Sequence, residues 1–467
     1  MKKLLIGVAI AVVLVFLGCP SENVSYITVT PDPANIGSTE TQQFTATAYD
    51  ADSVEVDVDF TWTSSNTAVA TVDENGLATA VATGTCTITA ASGDVEGTAD
   101  LTVTSGPTYH SGTISADETW YASANPHIIQ GDVDVSGNAT LTIEAGCIVR
   151  FEPGYELYAG YNGAGAIIAN GTATDSILFT SNVAAPAAGD WMNVGLYEYA
   201  MNTSSFSYCI FEYAGSSSGY PGALYGDGMS FMDITNCTIS NSGNYGVYLT
   251  DDAGFSSFSN NTITTCAQYP LRINAEYART IGTGNAMTGN TIGAVLVSGG
   301  TVHTSGTWIN PGIAYVIDSN VEIADDNTDP VITIASGNTI RFQPDVELYT
   351  GYSGSGGLIA DGTSGRITFT SNVSSPSSGD WINIGFYDYS IDASCQLINC
   401  NLVYGGGSAG FPGIIYIDDA IPEITGDSIG HSGNYGISLY GTAHPDSLTL
   451  LNDNTFYDCP SGNVYQP

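Results

Sequence analysis

Trp191-Met192-Asn193-Val194-Gly195-Leu196-Tyr197 and its near copy Trp381-Ile382-Asn383-Ile384-Gly385-Phe386-Tyr387 hold the residue types in this chain best suited to recognition chemistry. Read as extended strands, they alternate sides with a period of two. Met192, Val194 and Leu196, with Ile382, Ile384 and Phe386 in the copy, are uniformly apolar and are expected to face a core. Trp191, Asn193 and Tyr197, with Trp381, Asn383 and Tyr387, are then expected to point outward, with Tyr199 and Tyr389 close behind. Rows of outward rings can stack on sugar rings, and 28 tyrosines in a chain with 12% charged residues suit that use. These eight positions are the candidate glycan-binding residues. A covering loop, or a structural ladder of rings between strands, would produce the same pattern without a ligand.

Other side chains offer less. His110, His127, His303, His431 and His444 show no spacing suited to metal ligation, and His110 and His303 are expected in turns. Besides Cys19 there are eight cysteines, at 86, 147, 209, 237, 266, 395, 400 and 459, with no CxxC pair and no Cys/His spacing for zinc. Most are expected to be buried small hydrophobes, and Cys209 and Cys237 to stack in an interior. Asp50, Asp52, Asp57 and Asp59 form one acidic cluster, and Asp325, Asp326 and Asp329 another. Calcium, which takes six to eight oxygen ligands, is the one ion these would suit, although neither has EF-hand spacing and solvated loops are the alternative. No catalytic residue, metal ligand set or other cofactor is assigned.

The elements that must position these residues are strands. Residues 25–104 alternate strand-like runs with turn signals, as in Tyr26-Ile27-Thr28-Val29 and Thr85-Cys86-Thr87-Ile88-Thr89-Ala90, which predicts a small β-sandwich. From residue 107 short β-runs are punctuated by Gly, Asn and Ser, and the sequence repeats itself. Arg150-Phe151 returns as Arg341-Phe342, Glu156-Leu157-Tyr158 as Glu347-Leu348-Tyr349, Gly160-Tyr161 as Gly351-Tyr352, and Ser242-Gly243-Asn244-Tyr245-Gly246 as Ser432-Gly433-Asn434-Tyr435-Gly436. One ancestral unit was copied, giving units at 107–298 and 299–467. Within them Asn236-Cys237-Thr238-Ile239-Ser240 recurs as Asn260-Asn261-Thr262-Ile263-Thr264, a finer period of about 24 to 28 residues that suits β-helix coils. No stretch carries a helical apolar period over the length a helix needs, so a βαβ reading fails.

Two resemblances follow. The runs QFTATAYD, TWTSSNTAVATVDENGLATAVATGTCTITA and ADLTVT resemble the bacterial immunoglobulin-like group 2 domain along its whole length, which implies a spacer or adhesin segment of a surface protein. The runs Thr140-Leu141-Thr142-Ile143, Ile148-Val149-Arg150-Phe151 and Ile177-Leu178-Phe179-Thr180 resemble the right-handed parallel β-helices of the pectin-lyase-like superfamily, over roughly 107–467. The expected fold class is therefore all-β: an N-terminal immunoglobulin-like β-sandwich followed by a duplicated right-handed parallel β-helix, a solenoid. Enzymes of that superfamily usually attack polysaccharides, so a lyase or glycoside hydrolase is the alternative function. A lyase needs a base and charge compensation, yet Arg150 and Arg341 read as structural and Arg272, Arg279 and Arg366 have no matching acidic motif. Fragments similar to a polygalacturonase pattern exist at Asn327-Thr328-Asp329, Asp418-Asp419 and Gly430-His431, but their spacing is wrong and the basic motif is missing.

The N-terminus implies export. Lys2 and Lys3 precede an apolar run from Leu4 to Leu17, too short for the roughly 20 residues of a spanning helix, as in a signal peptide over 1–18. Val15-Phe16-Leu17-Gly18-Cys19 resembles a bacterial lipobox, with Phe16 where Leu is usual, and implies diacylation of Cys19 and a lipid-anchored linker over 19–24. The expected location is the cell surface or outer membrane, held to the membrane by the N-terminal lipid. Loss of the signal peptide leaves five arginines and no lysine against 47 acidic residues, which excludes nucleic acid as a partner. The expectation is an adhesin-like, glycan-binding or structural envelope lipoprotein, with a polysaccharide or other surface ligand as partner.

Overall fold

Alternation is cleanest in residues 84–104, where Cys86, Ile88 and Ala90 point one way along one strand and Ala99, Leu101 and Val103 do so along the next. In the computed structural model, which describes residues 24–467 except 39, 229 and 251, Gly84–Ser92 and Val95–Thr104 pair antiparallel. The signal peptide, Cys19 and all but the last residue of the linker expected over 19–24 lie outside the described residues.

The chain divides into two compact units at residues 106 and 107. In the first, a four-stranded sheet orders Ala34–Gly37, Val95–Thr104, Gly84–Ser92 and Thr61–Ser64. A three-stranded sheet of Tyr26–Thr30, Thr45–Tyr49 and Glu55–Val56 shares its core, in which Ile27, Val29, Phe44, Ile88 and Leu101 are buried together.

The second unit is a parallel β-helix. One coil runs Ile148–Phe151, Leu157–Ala159 and Gly165–Asn170, and the next runs Ile177–Ser181, Val194–Leu196 and Ser205–Ser207. Each strand pairs in parallel with its counterpart, as in Phe151 with Ser181, Leu157 with Val194, and Ile168 with Ser205. In-register stacking puts like residues over like, so the interior is built of columns: Phe179 stacks on Phe211 with ring centroids 4.7 Å apart.

The two copies do not stack face on matching face. Leu271–Asn274, a second strand of the first copy, pairs with Ala294–Ser298, which pairs with Ala314–Ile317, which pairs with Thr339–Phe342, a first strand of the second copy. The second-strand ladder of the second copy starts afresh at Gly300–Val302. One ladder is thus handed from the second face of one copy to the first face of the other.

A second internal column lines the corner after the third strand. Cys147, Cys209, Cys237 and Cys400 each direct the thiol at the carbonyl oxygen of a third-strand residue, respectively Trp120, Ala169, Phe206 and Ala360. Asn261, Asn285, Asn338 and Asn454 donate a side-chain amide to the equivalent carbonyls of Ile234, Phe258, Trp308 and Ile424. Cysteine and asparagine interchange here because both fit the corner and both can donate. Cys209 and Cys237 are buried on successive rungs, and the Cys209 backbone N–H lies 3.4 Å from Cys237 Sγ.

The structure departs from expectation at His110, which lies in the strand Thr108–Ile114 instead of a turn. The strand forms because Thr108–Ile114 pairs in parallel with His127–Val135; His110 Nε2 is 3.0 Å from His127 Nδ1 and its ring stacks on Trp120, centroids 4.0 Å apart. Burial, with the neighbouring His127, depresses His110 to about 4. One short α-helix, Ser447–Asp453, is capped by the Asp446 carboxylate and buries Leu450.

Candidate functional site

Val194 and Leu196 face the core as alternation requires, but the strand is only three residues long and the rule fails beyond its ends. Trp191 is fully buried: its ring stacks on Phe151, centroids 3.9 Å apart, and its Nε1 donates to the Glu212 carbonyl at 2.7 Å. Trp381 repeats this on Phe342, donating to the Val403 carbonyl at 2.8 Å. Asn193 and Asn383 are fully buried as well. Trp191 and Trp381 point inward, whereas Asn193 and Asn383 lie on the outer face beside Gly195 and Gly385 but are covered there, so the expected outward platform does not form. Tyr197 and Tyr387 are only 3% and 6% exposed, whereas Tyr199 and Tyr389 are 54% and 57% exposed.

The outward position of the short strand is Gly195, and the Tyr197 ring folds back over it. A Cβ on Gly195 would lie 3.0 Å from a Tyr197 ring carbon, and one on Gly385 would lie 2.9 Å from the Tyr387 ring. Along the stack the outward ladder reads Asp134, Tyr158, Gly195, Tyr225, Tyr248 and Arg272, with the Arg272 guanidinium 4.8 Å from the Tyr248 ring centroid. Tyr197 fills the gap that the glycine leaves, meeting Tyr158, Tyr161 and Tyr220 edge to face at 5.5, 5.2 and 5.5 Å. In the second copy the ladder reads Glu322, Tyr349, Gly385, Tyr416 and Ser438, and Tyr387 meets Tyr349, Tyr352 and Phe411 edge to face at 5.8, 5.1 and 6.4 Å.

Beneath Tyr197 lies Glu156, whose Oε2 accepts from the tyrosine hydroxyl at 3.2 Å. Burial and then the charge of Asp132 push Glu156 up to about 7, against the pull of hydrogen bonds from Tyr197 and Asn193. Burial and Glu322 likewise raise Glu347 in the second copy.

Above Tyr197 a cleft of about 130 Å³ opens, lined by Gly160, Tyr161, Tyr197, Glu198, Tyr220 and Asp227. Gly160, at φ +85°, turns the chain so tightly that a Cβ would sit 2.1 Å from the Ala200 nitrogen, and this turn presents Tyr161 at the rim. Asp227 is fixed there by donors at 2.8 Å from Thr250 Oγ1 and the Gly228 N–H. The corresponding positions in the second copy are Gly351, Tyr352, Tyr387, Asp388, Phe411 and Asp418. Burial, then the charges of Asp419 and Asp388, hold Asp418 above the ordinary carboxylate range. Of the eight positions singled out by sequence, only Tyr197 lines this cleft, and Tyr387 holds the equivalent position in the second copy. The repeat of Gly160-Tyr161 as Gly351-Tyr352 was the sequence signal that could have pointed to the rim tyrosines.

A larger depression of about 590 Å³ lies against Ser432, Gly433, Asp458 and Cys459, but it offers no aromatic ring. The acidic clusters are engaged in turns: Asp50 Oδ1 accepts from the N–H groups of Asp52 and Val54, Asp326 from Ser355 N–H, and Asp329 from the Ser355 hydroxyl. Among the described residues no three His, Cys, Asp or Glu side chains converge as a metal ion would require. Asp329 precedes the third strand Val331–Ile334 and Asp418-Asp419 precede Glu423–Thr425, three rungs on, so roughly 14 Å separates them along the stack.

The bacterial Ig-like domain (group 2) family matches residues 23–103, and the pectate-lyase like beta helix domain family matches residues 112–204. The chain is an all-β protein that joins an immunoglobulin-like module to a duplicated parallel β-helix. No curated protein matches it.

Proposed function

We propose that this is an exported, lipid-anchored cell-surface protein whose immunoglobulin-like module is a spacer and whose β-helix binds glycans through the two tyrosine-walled clefts. The observation that carries the reading is the retention, in both copies, of an exposed tyrosine at the rim, a buried ring beneath it and two flanking carboxylates. Aromatic faces take the apolar face of a sugar ring, and carboxylates accept from its polar substituents. The Lys2-to-Cys19 segment supports export and acylation.

Affinity electrophoresis of the protein against a polysaccharide panel tests this. Retardation by at least one polysaccharide, weakened in Tyr161→Ala and Tyr352→Ala, is the expected result. Unaltered mobility across the panel sinks the glycan reading, and release of new sugar ends during the run would favour the hydrolase or lyase instead. Labelling with a fatty acid that disappears in Cys19→Ala checks the anchor.

A further inference from the structure

The cleft of the first copy and the equivalent positions of the second differ in ways that bear on a ligand. Tyr220 in the first copy is Phe411 in the second, so the ring is kept and its hydroxyl discarded. Glu198 becomes Asp388, so the charge is kept and the reach of the side chain discarded. Tyr161 with Tyr352, and Asp227 with Asp418, are unchanged. Elsewhere on the same ladders Tyr248 has become Ser438, so the outward face was free to drift. A ligand held by directed hydrogen bonds would need the hydroxyl and a fixed carboxylate position. One held by π-faces and net negative charge needs only what both copies retain.

We infer that the ligand of these clefts is an amino sugar in its cationic form, its ring against Tyr161 or Tyr352 and its ammonium between the two carboxylates. This rests on the glycan reading and names the class of glycan. The 130 Å³ cleft accommodates a ring substituent and not a whole sugar ring. Its charged lining is acidic, Glu198 and Asp227, with no basic side chain among the described residues that line it. Tyr161 and Tyr220 each pack edge to face with Tyr197, so aromatic rings wall the cleft beside its carboxylates. In the second copy Asp418 already feels the charges of Asp419 and Asp388, and an ammonium would relieve that repulsion.

The test is calorimetric titration of the whole mature chain with a glucosamine tetrasaccharide and with its N-acetylated counterpart, which share a ring and differ in charge. The glucosamine form is expected to bind on the order of tenfold tighter, with the preference lost at 1 M salt. It should also be lost in the Glu198→Gln, Asp227→Asn, Asp388→Asn, Asp418→Asn variant, whose β-sheet circular dichroism reports folding. Should that variant misfold, the salt dependence of the wild type decides alone. Equal or tighter binding of the acetylated form overturns the inference and leaves the glycan reading standing. Tetramethylammonium binding as tightly as the tetrasaccharide overturns it too, because the sugar would then contribute nothing. No binding to either sugar overturns the inference, and no binding to any polysaccharide on the panel overturns the glycan reading with it.

Discussion

Asp427 occupies a rung of the corner column that elsewhere holds a donor. Its Oδ1 accepts from the Cys400 N–H at 2.6 Å, as Asn261 accepts from Cys237, and its own N–H donates to Asn454 Oδ1 at 2.9 Å. Its Oδ2 is buried with no hydrogen-bond partner among the described residues. The acceptors of this column in the second copy are the carbonyls of Ala360, reached by Cys400, and Ile424, reached by Asn454. Leu397 lies between them in the ladder, so its carbonyl is the one Asp427 must meet. An ionised carboxylate would set negative charge against that oxygen, whereas a protonated one donates to it as asparagine would.

Burial raises Asp427 to about 8, against the Cys400 N–H and the charge of Arg366, which pull it down. Between about pH 4 and about pH 8 the native chain therefore holds a proton that the unfolded chain has released, and stability falls as pH rises. The slope approaches about 1.4 kcal/mol per pH unit, so several kcal/mol are lost across the window. Asp427→Asn supplies the donor permanently. It should be nearly neutral at pH 4.5 and stabilising by several kcal/mol at pH 8, with the gain growing steadily between. Because each coil of a solenoid contacts only its neighbours, hydrogen exchange at the amides of residues 400–430, followed from pH 5 to pH 8, is the most direct measurement, with urea unfolding as the global check. A variant that is less stable than the wild type at pH 8, or whose difference does not change with pH, would refute the reasoning. Asp427 would then be ionised and held by Arg366.

Trp191→Ala and Trp381→Ala should each cost roughly 3–5 kcal/mol of stability by emptying an interior column, seen as a lowered unfolding midpoint, whereas loss of sugar binding with unchanged stability would contradict their burial. Glu156→Gln should remove a loss of stability that the wild type shows between about pH 4.5 and about pH 7, worth roughly 3 kcal/mol at most, in unfolding titrations across that range. Cys209 and Cys237 should resist alkylation in the folded protein and react fully in urea, and rapid native labelling by mass spectrometry would show that the corner column opens.

Sequence alone reached the architecture because the physics behind it is periodic. Alternation identified the strands, and the copied blocks around Arg150-Phe151 and Ser242-Gly243-Asn244-Tyr245-Gly246 identified the duplication. Alternation also produced the main error, since it was carried from a strand of three residues, Val194–Leu196, into the corner at Trp191, where the side chain turns inward, while Tyr197 keeps the outer face and is covered by neighbouring rings. The clefts escaped for a different reason. Tyr161 and Tyr220 belong to different coils, and the loops between strands vary in length, so no fixed spacing in sequence announces that they meet. Cys237 and Asp427 fall at the same offset as Ser242 and Ser432, so their equivalence was legible, but their shared place in the corner column emerges only from the hydrogen bonds.

The handover at Ala294–Ser298 bears on how two clefts can serve one surface. The first cleft is built on the second-strand ladder of its copy, which continues beyond Arg272 through Leu296 and Val316 to Arg341 as the first-strand ladder of the next. The equivalent positions of the second copy sit on the ladder that begins at Gly300–Val302, so no single column of strands joins the two. From the rung of Val194 to the coil that carries Ile384 there are seven steps, roughly 34 Å along the stack. A straight chain lying along one face would engage one cleft and leave the other around the corner. A long flexible chain can wind past the corner and engage both, where the second contact gains from effective concentration. If both copies bind glycan as proposed, duplication with a change of face favours capture of mesh-like, flexible polymers over binding to the surface of a rigid fibre.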